Sequence, residues 1–373
     1  MVKVSSADID LLLPHKERFT TQNAGAVSTI VYELGQHQQG KNAQNVTIFG
    51  HPIDSPKQGV KFQSLTPRHF PWQSRNIGMA KAYLHHLKTA NRNPAIVEVH
   101  GRPQVALYIA NARPDLKVIL YLHNDPRAMK GAKTIAERKM LAQKLAGVMA
   151  VSDYMKSCFL DGLGAEENYP ARLFVNMSGV TRLMKAPQKR KKQLFIASRM
   201  VPEKGILEAC LGAVPVLTDH PDWQICLAGS KTFEDGALSP YETQVKDALA
   251  PLGGQAIMLG HQPLAQVRTL QQTSEICLVP SLWQDPAPLT VLEALSAATA
   301  LIATRRGGIP EYATGRAILL DNASPSDFEI AIRQLIEDAS ARAALQQRAW
   351  DDYPFSAKQM SQGAANFRQS LLV

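Results

Sequence analysis

Pro280-Ser281-Leu282-Trp283-Gln284-Asp285-Pro286-Ala287-Pro288-Leu289-Thr290-Val291-Leu292-Glu293-Ala294 follows the apolar run Glu275-Ile276-Cys277-Leu278-Val279. The run reads as a buried strand, and residues 289–298 have the apolar spacing of a helix. Between them lies a Pro-rich loop. Two acids, Asp285 and Glu293, stand eight residues apart. A strand, a loop and the first turn of a helix make a site for an anion, because the free N–H groups and the dipole of that turn favour negative charge.

Working outward, the same alternation runs along the whole chain. In the first half, strands are expected over 9–13, 45–49, 60–65, 95–99, 116–122, 147–151 and 173–175. Helices are expected over 24–34, 77–87, 105–111, 132–145 and 154–160. In the second half, strands are expected over 194–197, 223–228, 256–259, 276–279, 300–303 and 317–320. Helices are expected there over 206–217, 241–252, 264–271, 289–298, 325–336 and 357–371. Such alternation argues for α/β architecture with parallel sheets covered on both faces. The stretch 181–193 is basic and poor in apolar residues, and it reads as a solvated interdomain linker. With 373 residues, two domains are the prior.

Composition bounds the function. The chain is 45% hydrophobic and 20% charged, and no apolar run is long enough to cross a bilayer. The N-terminus lacks the basic cluster of a signal peptide. Cys158, Cys210, Cys226 and Cys277 are scattered, so reduced, buried thiols in a cytoplasmic protein are expected. The net charge of +9 and pI near 9.3 suggest an anionic partner. The positive charge is dispersed and no aromatic stacking pattern accompanies it, which argues against nucleic acid. Lys81, His85, Lys88 and Arg92 recur at near-helical spacing and read as one basic stripe, fit to meet an anionic membrane surface.

Arg199 and Lys204 lie in Ser198-Arg199-Met200-Val201-Pro202-Glu203-Lys204-Gly205, just after a strand, where open α/β folds bind ligands. Two cations there would neutralise a diphosphate. His100 and His123 each close a strand, the second followed by Asn124 and Asp125. Asp8-Ile9-Asp10 has the form of a D-x-D metal motif. It stands at the entry to the first strand, the wrong edge of the sheet, so no metal site is expected.

The ordered series Ser198–Gly205, Cys226-Leu227-Ala228-Gly229-Ser230, Leu259-Gly260-His261, the opening stretch, and Gly307-Gly308-Ile309-Pro310-Glu311 resembles the retaining glycosyltransferases of family 4, the E-x7-E type. The resemblance is strong over 194–311 and weaker before it. It implies the GT-B fold, two Rossmann-like domains facing across a cleft. Residues 1–183 with a returning helix at 355–373 would form the N-terminal, acceptor-side domain. Residues 184–354 would bind the nucleotide-sugar donor. It implies a cytoplasmic enzyme moving a sugar from a nucleotide-diphosphate sugar to a glycan or lipid-linked sugar, with retention. Bacterial cell-surface polysaccharide or lipopolysaccharide synthesis is the expected setting. A position peripheral to the inner face of the plasma membrane is also expected.

By that resemblance, Arg199 and Lys204 stabilise the leaving diphosphate. Glu293 accepts hydrogen bonds from the ribose hydroxyls. The Leu289 and Thr290 N–H groups face phosphate, and Asp285 orients the donor sugar. Gly25, in Asn23-Ala24-Gly25-Ala26, matches a glycine-bearing loop that approaches the donor. Gly229, Gly260 and His261 border the nucleotide, and Glu311 falls near its pocket. His100 fits beside the transferred sugar, and His123, Asn124 and Asp125 fall nearer the acceptor. No cofactor is implied beyond the donor as co-substrate. Two positions depart from the family pattern: Asp285 stands where Glu is usual, and Ala287-Pro288 where Phe-Gly is common. Alternatives from other classes are a GT-B phosphorylase, a sugar-nucleotide epimerase, and a non-catalytic binder of nucleotide sugar or membrane.

Overall fold

The computed structural model describes residues 7–21, 25–37, 44–67, 74–165, 168–231 and 237–372. The chain divides into two compact units, Met1–Gly179 with Ser356–Val373, and Val180–Phe355.

The first unit alternates β1 (Asp8–Leu12), α1 (Ala26–Gln36), β2 (Asn45–Gly50), β3 (Lys61–Ser64), α2 (Arg75–Thr89), β4 (Ile96–His100), α3 (Pro103–Ala112), β5 (Lys117–Leu122), α4 (Ile135–Lys144), β6 (Gly147–Ala150), α5 (Asp153–Leu160) and β7 (Arg172–Val175). The strands form one parallel sheet in the order β3-β2-β1-β4-β5-β6-β7. Its central strands are mostly apolar because helices cover both faces, with Asp10, Glu98 and His100 the buried exceptions in β1 and β4. Val97, Val99, Val118, Leu120 and Leu122 join Met79, Tyr83, Ile109 and Leu141 in one buried cluster. Asn23 and Ala24, the start of the expected glycine loop, lie outside the described residues.

The second unit repeats the plan. It runs β8 (Lys191–Ala197), α6 (Ile206–Asp219), β9 (Gln224–Ala228), α7 (Pro240–Leu249), β10 (Ala256–Met258), α8 (Leu264–Thr273), β11 (Ser274–Val279), α9 (Leu289–Ser296), β12 (Ala300–Thr304), α10 (Ile309–Ala313), β13 (Ile318–Leu320), α11 (Pro325–Glu337) and α12 (Ala339–Asp351). Its parallel sheet has the order β10-β9-β8-β11-β12-β13. The strand order therefore reverses between β8 and β11, which opens a crevice at their carboxyl ends. The chain's last helix, α13 (Ala357–Leu372), belongs to the first unit. There the Phe367 ring stacks on Phe174 at 5.0 Å, and Gln44 Nε2 donates to the Ala365 carbonyl at 3.2 Å.

Three expectations change. Residues 181–193 run as a solvated linker only in part: 185–189 are exposed coil, while the residues around them are tied into the second unit. Lys191 opens β8. The Arg190 guanidinium donates to the carbonyls of Gln272, Ser274, Ala297 and Ala298 at 2.8–3.2 Å, and so satisfies helix-end acceptors that have no intrahelical partner. Arg182 does the same for Ser296, Ala349 and Trp350, its plane over the rings of Trp350 and Tyr353. A second change is α12, which has no place among the expected helices. Only Ala349 in it is buried, so it has no apolar stripe to read. Its Ala, Arg and Gln content and the Asp338 carboxylate, which accepts from Ser340 N and Ala341 N, make the helix.

The third change is Arg92. Helix α2 ends at Thr89, and Arg92 turns inward to Asp10, Nη2 to Oδ1 at 2.6 Å, with Asp8 at 3.6 Å. The exposed stripe is therefore Lys81, His85 and Lys88. Asp10 is buried and also accepts from the Tyr83 hydroxyl at 2.7 Å. Its role in the fold is that of a buried anion with its partners.

Candidate donor site

The crevice between β8 and β11 is where the second unit's chemistry gathers. One cavity of about 220 Å³ is lined by Ser198, Arg199, Gly229, Ser230, Lys231, His261, Gln262, Thr290 and Glu293, among others. That is below the roughly 300–1,000 Å³ of a pocket for a whole small ligand, so it takes one part of a ligand. A narrower one beside it is lined by Ser198, Lys204, Pro280, Ser281, Asp285 and Thr290. Thr290 and Ser198 border both.

Each side chain is placed by the end of a strand or the start of a helix. Ser198 and Arg199 follow β8, and Ser230 and Lys231 follow β9. The loop after β9 needs its glycine: at φ +140° a Cβ on Gly229 would lie 1.8 Å from the Ser198 carbonyl oxygen. The Gly229 N–H instead donates to the Gly260 carbonyl at 2.7 Å, which ties the two loops of the site together. Lys204 closes a short turn, and Gly205 follows at φ +64°, where a Cβ would lie 2.0 Å from the Pro280 carbonyl oxygen. Glu203 O accepts from Leu282 N and Trp283 N, both at 3.0 Å. The opening loop is thereby fastened to the Arg199–Lys204 loop.

Asp285 and Glu293 differ in their surroundings. Lys204 Nζ donates to Asp285 Oδ2 at 2.6 Å. The acid and the base expected to serve one donor are thus already paired. Glu293 lies on α9 and is 5% exposed. Burial pushes its carboxyl up to about 7, against the opposing influence of Arg268 and Gln271. No side chain caps the first turn of α9, whose N-cap is Pro288. Its amide dipoles are therefore available to an anion beside Thr290.

The expected site residues divide between the two units. Arg199, Gly229, His261, Thr290 and Glu293 share the larger cavity, while Lys204 and Asp285 share the smaller. Gly260 supports the loop, and Leu289 opens α9 without lining either. Glu311 sits in the first turn of α10 and lines neither. Sequence reasoning did not assign Ser198, Ser230, Lys231 and Gln262. Their signal was position, since each directly follows a strand or the Gly260-His261 turn.

In the first unit, three expectations are corrected. At the start of α1, Glu17 Oε1 already accepts from Ser28 N at 2.9 Å, and a Cβ on Gly25 would lie 2.4 Å from it. Gly25 makes room for that carboxylate, so the N–H groups of this turn are already partly engaged. His100 is 0% exposed. Its ring lies between Glu98 and His123, with Nδ1 2.9 Å from His123 Nε2, so a ligand at this edge meets the half-buried His123 instead. Asp125 is committed to Arg127, accepting from its backbone N–H and its guanidinium at 2.8–3.2 Å. Burial alone would raise its carboxyl, but these bonds hold it below the usual range. Asn124 stays exposed beside it. Among the described residues no three His, Cys, Asp or Glu side chains gather as metal ligands, and no helix is long and apolar enough to cross a membrane.

Comparison with known proteins falls on the same residues. Residues 182–351 match the family model described as glycosyl transferases group 1. A protein of Bacillus subtilis (strain 168) named as a glycosyltransferase, YtcC, is 25% identical over 307 residues, 77% of this chain and 72% of its own. The lipopolysaccharide 1,2-N-acetylglucosaminetransferase of Salmonella typhimurium is 22% identical over 60% of this chain and 58% of its own length. The fold is shared with Anabaena HepE, solved in complex with UDP and glucose, at a TM-score of 0.73 and 15% identity over 97% of this chain and 99% of that one. The chain is thus built of two Rossmann-like units of the GT-B type, and the second, with its cavity between β8 and β11, is the part that resembles the group 1 glycosyl transferases.

Proposed function

We propose that this protein transfers a sugar from a nucleotide-diphosphate sugar to a hydroxyl of a glycan or lipid-linked acceptor, with retention at the anomeric carbon, as the family 4 resemblance implies. The observation that carries the reading is the meeting of Arg199, Thr290 and Glu293 in one cavity at the strand-order reversal, with Lys204 and Asp285 alongside. A nucleoside diphosphate needs cations for its phosphates and a carboxylate for its ribose, and these residues supply both. Arg199 and Lys204 meet the charge that grows on the leaving diphosphate, so no metal is assigned. The first turn of α9 adds its dipole.

Front-face displacement is the mechanism this reading favours: the departing phosphate oxygen takes the acceptor proton. His123, rather than the buried His100, is the first-unit histidine placed to meet substrate. A lipopolysaccharide or polysaccharide acceptor is favoured by the named activity of the Salmonella relative. A cytoplasmic protein resting on an anionic membrane surface through Lys81, His85 and Lys88 completes the proposal. Flotation with anionic liposomes at low salt tests that last point, and absence of binding would refute it.

The test of the transfer itself is nucleotide release from a donor panel, beginning with UDP sugars because HepE was solved with UDP and glucose. Release should rise with acceptor and fall in Arg199→Ala and Glu293→Ala. Unchanged release in both variants would overturn the site assignment.

A further inference from the structure

The carboxyl end of β4 carries a connected line of polar groups that the donor site does not use. Arg368 of α13 is 0% exposed and donates to both oxygens of Glu98, Nε to Oε2 at 2.9 Å and Nη2 to Oε1 at 3.0 Å. Its Nη1 donates to Gln44 Oε1 at 3.2 Å. Glu98, also 0% exposed, has its Oε1 3.0 Å from His100 Nε2. His100 Nδ1 in turn is 2.9 Å from His123 Nε2, and His123 reaches the surface. Tyr121 of β5 packs against both rings, tilted to His100 at 5.2 Å and stacked on His123 at 4.7 Å between centroids. Its hydroxyl is occupied by Asn176.

The protons along this line are fixed by its buried end. Arg368 is a permanent cation and only donates. Beside it, Glu98 stays ionised well below the usual carboxylate range, although burial alone would raise it. An ionised Oε1 repels a lone pair, so the His100 nitrogen facing it must carry the proton. His100 Nε2 makes no hydrogen bond here; its 3.0 Å contact with Oε1 is electrostatic, and the sign of that contact is what sets the proton. A second proton on His100 would leave net positive charge in a buried cluster that Arg368 and Glu98 otherwise balance, at a high desolvation cost. His100 is therefore neutral, with its Nδ1 lone pair directed at His123. The His123 nitrogen facing that lone pair must donate, which leaves the lone pair of His123 on Nδ1.

We propose that Arg368, Glu98 and His100 form a buried relay that fixes His123 as the Nε2–H tautomer, so that His123 offers its Nδ1 lone pair to a hydroxyl of the substrate. That substrate contact rests on the function proposed above, while the tautomer does not. Arg368, Glu98 and His100 are positioning residues. Burial pushes His123 well below the ordinary imidazole range, so the acceptor persists as pH falls.

Two-bond ¹⁵N–¹H correlation spectra of the full chain labelled with [¹⁵N]histidine read the tautomer directly. His100→Gln and His123→Gln variants assign the two rings. Both should show the Nε2–H pattern, and His123 should hold it unchanged from pH 8 to pH 6. An Nδ1–H pattern, or titration of His123 like a free imidazole, overturns the relay. In Arg368→Met, the Glu98 charge is balanced only if His100 takes a second proton. His100 then donates from Nδ1, and His123 switches to Nδ1–H. Turnover of this variant should fall roughly tenfold at pH 6.5, the weight of one hydrogen bond, with KM little changed. It should recover toward wild type by pH 9, as His100 loses that proton. A loss independent of pH, or an unswitched His123, would refute the positioning role. If Arg368→Met fails to fold, the wild-type spectrum still decides the tautomer. If the wild-type chain turns over no donor, the function falls while the tautomer result stands.

Discussion

Replacing Glu293 by Gln should stabilise the empty protein and weaken its grip on the donor. In the fold the Glu293 carboxyl sits at about 7 instead of 4.5, chiefly because it is buried. Holding it ionised there costs about 3 kcal/mol relative to the unfolded chain. The sign follows from proton binding. Between the two values the folded state holds a proton that the unfolded state has lost, so stability falls as pH rises from about 4.5 to about 7 and then levels. Gln carries no charge and is free of this dependence. The stability difference between Glu293→Gln and wild type should therefore be near zero at pH 4.5, grow through pH 6, and reach its full value above pH 7.5. For a unit of this size, about 3 kcal/mol corresponds to a rise of roughly 6–12 °C in Tm.

Calorimetry of the whole chain at pH 5, 6, 7 and 8 is the assay, following the transition that shifts. In parallel, nucleotide affinity should drop about 10- to 100-fold, because an amide offers one oxygen where the carboxylate offered two and hydrogen bonds to charge are worth about 1.5–3 kcal/mol. Wild-type affinity itself should rise from pH 6 to pH 8, since the ionised form accepts from both ribose hydroxyls and does so more strongly than the protonated one. A variant less stable than wild type at pH 8, or a stability difference that does not vary with pH, would refute the reasoning.

Arg199→Ala should weaken nucleoside diphosphate binding by about 10- to 100-fold with no change in Tm, read by calorimetric titration. Gly229→Ala should lower stability by more than about 1 kcal/mol, because its φ of +140° and the Ser198 carbonyl 1.8 Å away exclude a Cβ; thermal melts check this, and donor binding should fall with it. Asp285→Asn should release Lys204 and raise affinity for a free nucleoside diphosphate by roughly fivefold, the weight of a modest ion pair, while turnover drops. Asp10→Ala should cost about 3 kcal/mol through the stranded Arg92 and Tyr83 groups. Denaturant melts would show it, and nucleotide binding, with or without divalent cations, should be unaffected.

The sheets were legible because both faces of each are covered, so the apolar runs are continuous and hard to mistake. The clustering of the candidate site residues was legible for the same topological reason. Arg199, Gly229, His261 and Thr290 each follow a strand or open a helix at one edge, and strand ends can be counted along a sequence. What stayed hidden was pairing. Nothing in the spacing shows that Asp10 and Arg92 meet across 82 residues, or that Arg368 comes to rest on Glu98. Both pairs form only when non-adjacent strands and helices close on each other. The same blindness explains His100. A histidine at a strand end looks exposed to a ligand until the neighbouring strand lays another histidine over it. Helix α12 was missed because it is held by propensity and a cap rather than by an apolar stripe.

The two acids that first marked the opening stretch prove to be prepared in opposite senses. Asp285 is ionised and paired, its charge spent on Lys204. Glu293 is buried and, near neutral pH, shared between its protonated and ionised forms. A nucleoside diphosphate entering the crevice would reverse both conditions. Its phosphates compete with Asp285 for Lys204, and its ribose hydroxyls draw Glu293 into the ionised form. Asp285 would then be free to accept from another donor in the narrower cavity just as Glu293 becomes fixed in the larger one. That sequence suits a shorter side chain. An aspartate already reaches Lys204 at 2.6 Å across the loop, so the missing methylene costs nothing in the empty state and is felt only once the lysine has turned to phosphate. The departure from the family pattern should therefore bear on which group Asp285 then meets, and leave the hold on the nucleotide to Arg199, Lys204 and Glu293.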